Sequence, residues 1–213
     1  MYVHPAFKTD PDISLAFMRE RGFGTLVAVD GMQPVAVHVP FAVSADGTEV
    51  ELHVARANPI HGVIARQPRV LLTCTGPDAY IAPDWYASPS QVPTWNYVSV
   101  HAAGEARLME PEDIRRHLDR LSARFESGLS ADPWSPAKID PQRIAAMSNA
   151  IVGIVVRLET VEGQWKLGQH KGMPDHRGAA AGLRRQADPA AHAVADLMDA
   201  ARGVGPHAAG AAG

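Results

Sequence analysis

The segment HVARANP, from His53 to Pro59, combines residue types that bind phosphate. Arg56 is followed by Asn58 and Pro59, a pair that favours the start of a helix. Backbone N–H groups at a helix N-terminus carry partial positive charge, and a guanidinium adds a planar donor pair with a permanent charge. The segment therefore predicts a site for a terminal phosphate. An ordinary capped helix beside a solvent-facing arginine is the alternative.

Aromatic side chains cluster around a proline-rich loop and the strand that follows it: Trp85, Tyr86, Trp95 and Tyr97. Such rings can stack on a planar ligand and present polar tips to it. Packing that anchors the loop is the alternative. Asn96 lies within this group, and His38 stands alone in an alternating strand, where a structural role is the alternative. We treat both as candidates for the polar edge of a ring.

A third polar group, WKLGQHK, follows the last major strand and holds Lys166, Gln169 and His170. It predicts contacts to an anion or a ring edge, with a solvated turn as the alternative. No nucleophile, Walker or paired-cysteine motif is present, so no catalytic residue is predicted. The ten histidines show no metal-ligand spacing, and no metal site is predicted.

Composition sets the class of protein to which these residues belong. The chain has 213 residues, 46% of them hydrophobic, and a formal net charge of −3, which argues against a generic polyanion binder. No basic segment followed by an apolar run opens the chain, and no apolar stretch has the length of a membrane span. The single cysteine, Cys74, excludes an intrachain disulfide. We expect a soluble cytoplasmic protein without a membrane partner.

The elements that position these residues are mainly strands. Alternating or β-branched runs cover residues 23–29, 34–43, 48–55, 69–75, 97–109 and 151–161, and Asp-Gly turns separate the first three. This order predicts an antiparallel meander that closes into a barrel of six or more strands with peripheral helices. We expect six side chains to be largely buried: Val27, Val37, Leu52, Leu71, Val100 and Val155.

Helices are predicted at the connections and ends of the strands. Capping and proline signals begin them near residues 11, 59, 111, 141 and 189, and residues 168–188 read as a polar, glycine-rich segment. We expect a barrel domain over 1–167, a C-terminal segment and helix packed on it over 168–204, and a disordered tail over 205–213. The helix after Pro111 carries four arginines, but its connection to the next helix is too long for a helix-turn-helix.

The motifs in this order resemble the PaiB-like family of FMN-binding negative transcriptional regulators. The resemblance rests on MYVHPAFK, FGTLVAV, PVAVHVPF, HVARANP, GPDAYIAPDWY, VPTWNYVSVHAAG, IVGIVVRLE and the KLGQ and DHRGAAAGL segments, which span residues 1–183. It implies a split β-barrel of the kind found in pyridoxamine phosphate oxidase and flavin reductases. It also implies a homodimer with FMN near the subunit interface and a role in repressing transcription, with DNA a further partner.

The resemblance directs the candidate residues to the flavin. The phosphate would be held by Arg56, Asn58 and Pro59, with Lys166 or Gln169 nearby. The flavin ring would contact residues from the other segments: His38, His53, Trp95 and Asn96. This chain departs from the family pattern at three positions: His61, Gly168 and His170. Because related barrels bind haem or a deazaflavin, these cofactors stay open beside FMN.

The resemblance leaves a second function open. A flavin carries out redox chemistry without an acid–base motif in the protein, so an FMN-dependent oxidoreductase that uses a nicotinamide or another small molecule is the alternative. An interaction or DNA-binding module with a vestigial pocket is the third interpretation.

Overall fold

The computed structural model describes residues 1–203, so the tail predicted over 205–213 lies outside the described residues. The chain forms two compact units. The first unit contains Met1–Pro11, Thr75–Val100 and the chain from Glu162 onward; the second contains Asp12–Cys74 and His101–Val161. No helix within the described range is long and apolar enough to cross a membrane.

Antiparallel strands form the framework, as predicted. They are β1 (Lys8–Thr9), β2 (Phe23–Asp30), β3 (Gln33–Val43), β4 (Glu49–Ala55), β5 (Arg69–Ile81), β6 (Thr94–Leu108) and β7 (Ile151–Lys166). Their hydrogen-bonded order is β1-β7-β4-β3-β2-β5-β6, and an additional β7–β6 pairing closes the six long strands into a ring. Every strand pair whose register is resolved is antiparallel, with Leu26 opposite Val37 and Leu52 opposite Ile154. The structure is a split β-barrel.

Six α-helices accompany these strands within residues 1–203: α1 (Pro11–Arg21), α2 (Ile60–Arg66), α3 (Pro111–Glu126), α4 (Pro141–Asn149), α5 (Met173–Arg184) and α6 (Pro189–Ala200). Five of them begin within a residue or two of the predicted positions. The sequence signals predict no helix within the polar, glycine-rich residues 168–188, and α5 occupies most of that segment.

The expected barrel core is right for half of its residues. Leu52, Val100 and Val155 are buried as predicted, whereas Val27, Val37 and Leu71 are only partly buried. The inward positions of those strands belong to their neighbours, Leu26, Ala28, Val39 and Leu72. Both faces of runs such as TLVAV and VLL are apolar, so alternation identifies the strand but does not say which face points inward.

A glycine allows helix α5 to pack closely against the segment around Trp85. A Cβ at Gly178 would lie 2.0 Å from the carbonyl oxygen of Trp85. Ala179, Ala180 and Leu183 of the same helix are buried. Glycine lowers intrinsic helix propensity, which hid α5 in the sequence, but packing stabilises the helix in the fold.

Candidate functional site

The HVARANP segment includes the end of β4 and leads into α2. Within it, one edge of the Arg56 guanidinium is hydrogen-bonded to backbone carbonyls. Arg56 donates from Nε to the carbonyl of Asn149 at 2.7 Å and from Nη2 to the carbonyl of Ile151 at 2.9 Å. These bonds fix the junction between α4 and β7. They occupy the Nε/Nη2 edge of the guanidinium, while the opposite Nη1/Nη2 edge still has donors and the side chain is exposed.

The turn after Arg56 is held by its own side chains. The Asn58 side-chain oxygen accepts from the backbone N–H of Ile60 at 3.0 Å. The helix begins one residue later than predicted, with Pro59 as the N-cap residue of α2 and Ile60 as its first residue. His61 donates from Nε2 to the carbonyl of Arg56 at 3.0 Å. The histidine that departs from the family pattern therefore braces the arginine's backbone.

His38 lies on the exposed face of the β2–β3 pair. Its Nδ1 is 2.9 Å from the hydroxyl of Thr25, the residue opposite it in the strand register. This contact satisfies one ring nitrogen through an ordinary cross-strand pair. The contact with Thr25 therefore supports the alternative in which His38 has a structural role.

His53 belongs to a chain of polar groups that the sequence did not reveal. Its Nδ1 lies 3.0 Å from Nε2 of His117, and Nδ1 of His117 lies 3.4 Å from Oε2 of Glu51. Arg120 makes an ion pair with the same carboxylate oxygen. His117 is completely buried. Burial, with the nearby His53 ring, lowers the pKa of His117 to about 4, and burial also lowers the pKa of His53.

The alternation of TEVELHVA could have placed Glu51 and His53 on one face, but it could not name their partner. His117 is 64 residues away from His53, on α3. A lone histidine within an amphipathic helix carries no signal of such a pairing, because only the tertiary fold brings the two rings together.

In the other unit, the aromatic segment borders an open cleft of about 330 Å³ lined by Thr75, Gly76, Asp78, Trp95, Tyr97, Val98 and Ser99. Trp95 is half exposed, and its ring meets that of Tyr80 edge to face at a centroid distance of 6.1 Å. Asn96 is buried and donates to the Met198 sulfur at 3.3 Å. The aromatic ring is thus accessible, whereas the neighbouring amide packs inward.

The residues of WKLGQHK stabilise their own turn. Lys166 donates to the Thr94 hydroxyl at 2.7 Å. Gln169 donates to the carbonyl of Trp165 at 2.6 Å and accepts from the N–H of Leu167 at 2.9 Å. Gly168 has a φ of +74°, a conformation in which glycine is favoured over residues with a Cβ. The glycine at this departure from the family pattern therefore suits the turn.

The candidate residues divide between the two units. His38, His53, Arg56, Asn58 and Pro59 belong to the second unit, and Trp95, Asn96, Lys166 and Gln169 to the first. Within the second unit, the three residues of the phosphate prediction are joined by one short turn.

The closed antiparallel barrel with its peripheral helices places the chain in the class of split-barrel proteins. The family model described as "Putative FMN-binding domain" matches residues 1–160, and the chain belongs to that family. FMN is the cofactor that this membership supports. This family membership confirms the resemblance to the PaiB-like FMN-binding family.

Three known proteins show how far the likeness extends. The chain is 30% identical over 202 residues to "Protease synthase and sporulation protein PAI 2" of Bacillus subtilis, covering 93% of this chain and 97% of that one. The fold is similar to that of the FAD and heme binding protein from Mycobacterium smegmatis, with a TM-score of 0.56, 19% identity and coverage of 82% and 78%. It is also similar to the flavocytochrome Anf3 from Azotobacter vinelandii, with a TM-score of 0.59, 16% identity and coverage of 78% and 69%.

Proposed function

We propose that this chain is a homodimeric FMN-binding protein of the PaiB type that represses transcription. Family membership and the near full-length similarity to the Bacillus subtilis protein named for protease synthesis and sporulation support the proposal. Bound FMN supplies redox chemistry and strong visible absorbance. The residues of this chain bind and orient it.

The main support for a phosphate site is the Nη1/Nη2 edge of the Arg56 guanidinium, which the two backbone contacts leave available. Because Asn149 and Ile151 hold the Nε/Nη2 edge, the guanidinium is preorganised and its other edge points away from those carbonyls. A phosphate carries close to two negative charges near neutral pH and accepts a bidentate pair of N–H donors at such an edge. Asn58 fixes the adjoining turn. These residues fit the phosphate of FMN.

A comparison of FMN with riboflavin tests this site, because riboflavin has the same ring system and lacks the phosphate. Fluorescence titration of the Arg56→Ala protein should show FMN binding weakened about tenfold to a hundredfold, the value of one charge-assisted contact. Riboflavin binding should be nearly unchanged. Arg56→Lys should restore part of the FMN affinity, since lysine keeps the charge without the planar fork.

The ratio of the two affinities separates recognition from structural damage. If losing the anchor at Asn149 merely disturbs the fold, both ligands should weaken together. Equal FMN and riboflavin affinities in the unchanged protein would place the phosphate away from Arg56. A visible spectrum of the purified protein distinguishes FMN from haem and from a deazaflavin.

Six further residues stay predicted flavin contacts: His38 and His53 of the second unit, and Trp95, Asn96, Lys166 and Gln169 of the first. Each is tested by the same pair of titrations, where Trp95→Ala should weaken FMN and riboflavin equally if the indole stacks on the ring. Lys166→Met should weaken FMN alone if the ammonium meets the phosphate. Light scattering of the flavin-loaded protein tests the homodimer, and a stable monomer with bound flavin would contradict it.

The arginines of α3 are candidates for contacts to DNA phosphates, but each has a partner within the protein. Arg115 pairs with Asp119 at 3.2 Å, Arg116 with Asp113 and Arg120 with Glu51. Arg124 donates to the carbonyl of Glu20 at 3.1 Å. The carbonyl contact leaves the charge of Arg124 in place, but α3 holds four acidic residues beside its four arginines and so offers little net positive charge to a phosphate backbone.

This charge pairing argues against direct DNA contact through α3 but not against another DNA-binding surface. An FMN-dependent oxidoreductase is the second candidate function, because a flavin carries out redox chemistry without an acid–base motif in the protein. Two measurements on the flavin-loaded protein decide between them. Sequence-selective binding to a promoter fragment that persists at about 200 mM salt supports the regulator. Steady oxidation of NADH or NADPH without selective DNA binding supports the oxidoreductase.

A further inference from the structure

The Glu51–His117–His53 chain has a fixed direction of hydrogen bonding. A carboxylate only accepts, so Nδ1 of His117 carries the proton that faces Glu51. Neutral His117 then accepts at Nε2, and Nδ1 of His53 must donate to it across 3.0 Å. Neutral His53 is left with a lone pair on Nε2. The lowered pKa values of both rings keep them neutral near pH 7.

That lone pair belongs to a side chain on the wall of a cleft. The cleft is partly open to solvent and has a volume of about 200 Å³. His53 lines it together with Leu118, Trp134, Ile144, Met147, Ile151 and two serines, Ser122 and Ser148. Nε2 of His53 has no hydrogen-bond partner among the described residues and is not completely buried. A sealed cavity of roughly 150 Å³ lined by aliphatic and aromatic side chains binds a benzene ring, so this open cleft has the volume for one aromatic ring.

Charged groups reach the cleft from one side only. Arg115 and Asp119 of α3 line it and pair with each other, while α4, β7 and the 133–136 connection contribute no charged side chain to the described lining. Glu51 is already held by Arg120 and His117. The lining is therefore largely apolar, with His53 as a neutral hydrogen-bond acceptor and the Arg115–Asp119 pair at one side.

We infer that this cleft binds a small aromatic molecule that carries a hydroxyl group, with the ring against Trp134 and its neighbours and the O–H donated to Nε2 of His53. Glu51 and His117 are positioning residues, because they fix the tautomer that makes Nε2 an acceptor. The inference goes beyond flavin binding and does not rest on it.

Phenol and its methyl ether, anisole, test the inference because they share a ring and differ in the donor. Dissociation constants come from NMR titration of the full chain at pH 7.5, followed at the indole N–H of Trp134, which the Trp134→Phe protein assigns. Phenol should bind about threefold to tenfold more tightly than anisole, the value of one hydrogen bond to a neutral acceptor. The His53→Leu protein should lose this preference.

A matched variant separates the acceptor from the cleft. Ile144→Trp adds bulk on a partly exposed wall, so it should weaken phenol and anisole by the same factor. Imidazole nitrogen shifts of the unchanged protein report the tautomer of His53 without any substitution. Equal affinities for phenol and anisole, a preference that survives in His53→Leu, or a protonated Nε2 at pH 7.5 would each overturn the inference. Flavin titrations are scored separately, so either proposal can fail alone.

Discussion

Gly182 lies directly against the indole of Trp85. A Cβ at this position would be 2.2 Å from Cδ2 of the ring, closer than real side chains approach. The contact explains why a glycine stands in the interior of α5, where alanine would otherwise form a better helix. Because Gly182 has no side chain, α5 can pack directly against the indole of Trp85.

Replacing Gly182 by alanine should therefore destabilise the protein. The added methyl group overlaps a rigid ring, which costs about 1–3 kcal/mol and exceeds the gain in helix propensity. Urea unfolding followed by circular dichroism measures the change. Gly62→Ala is the control: Gly62 lies in α2 with only the end of Arg66 nearby, at 3.6 Å, and the same substitution should stabilise by about 0.5–1 kcal/mol. Destabilisation by both substitutions alike would contradict this explanation.

The buried His117 should make stability depend on pH. Its pKa is about 4 in the fold and near 6.5 when unfolded, so the unfolded chain binds more protons between these values. The contribution is fully present above about pH 6.5 and is lost as pH falls toward 4, with a slope of at most about 1.4 kcal/mol per pH unit. Urea midpoints at several pH values measure it. The His117→Phe protein should show a shallower slope, and an identical slope would refute the assignment.

Cys74 should be unreactive until the protein unfolds. The thiol is buried in β5, with Sγ 3.6 Å from the carbonyl of Phe23, and burial raises the pKa of Cys74 to about 11. Little thiolate is present at pH 8, and reagents cannot reach it. Labelling with a chromogenic disulfide should be slow in buffer and rapid in denaturing urea. Rapid labelling of the folded protein would show that this part of the barrel opens.

The N-cap of α6 should contribute measurably to stability. A side-chain oxygen of Asp188 accepts from the backbone N–H of Ala190 at 2.9 Å. Asp188→Ala should cost about 1 kcal/mol, whereas Asp188→Ser should retain most of the stability because serine also caps. Thermal unfolding of the three proteins measures this order. Equal loss in both variants would indicate that Asp188 acts through its charge instead.

Elements with local signals were predictable from the sequence. The turn at Asp30-Gly31 and the helix start at Asp188-Pro189 depend on neighbouring residues only, and both form as expected, with Gly31 at a φ of +64°. Strand phase was not predictable in β2, because Leu26 and Val27 are equally apolar and only the closed barrel decides between them.

In the candidate site, too, contacts between neighbouring residues were predictable from the sequence, and contacts between distant residues were not. The capping role of Asn58 was predictable, because a side chain bonds a backbone group two residues on. The anchoring of Arg56 on Asn149 was not, since it joins residues 93 apart. The pairing of His53 with His117 likewise depends on where α3 packs, which no local spacing encodes.

The long strands β5, β6 and β7 each begin in one compact unit and end in the other. Neither unit is therefore a contiguous piece of the gene, and a single exchange of coding sequence cannot transfer one without severing these strands. To express either unit alone, an experimenter would have to cut these strands and join separate stretches of the sequence. The similarity to the Bacillus subtilis protein extends over 93% of this chain and thus includes residues of both units.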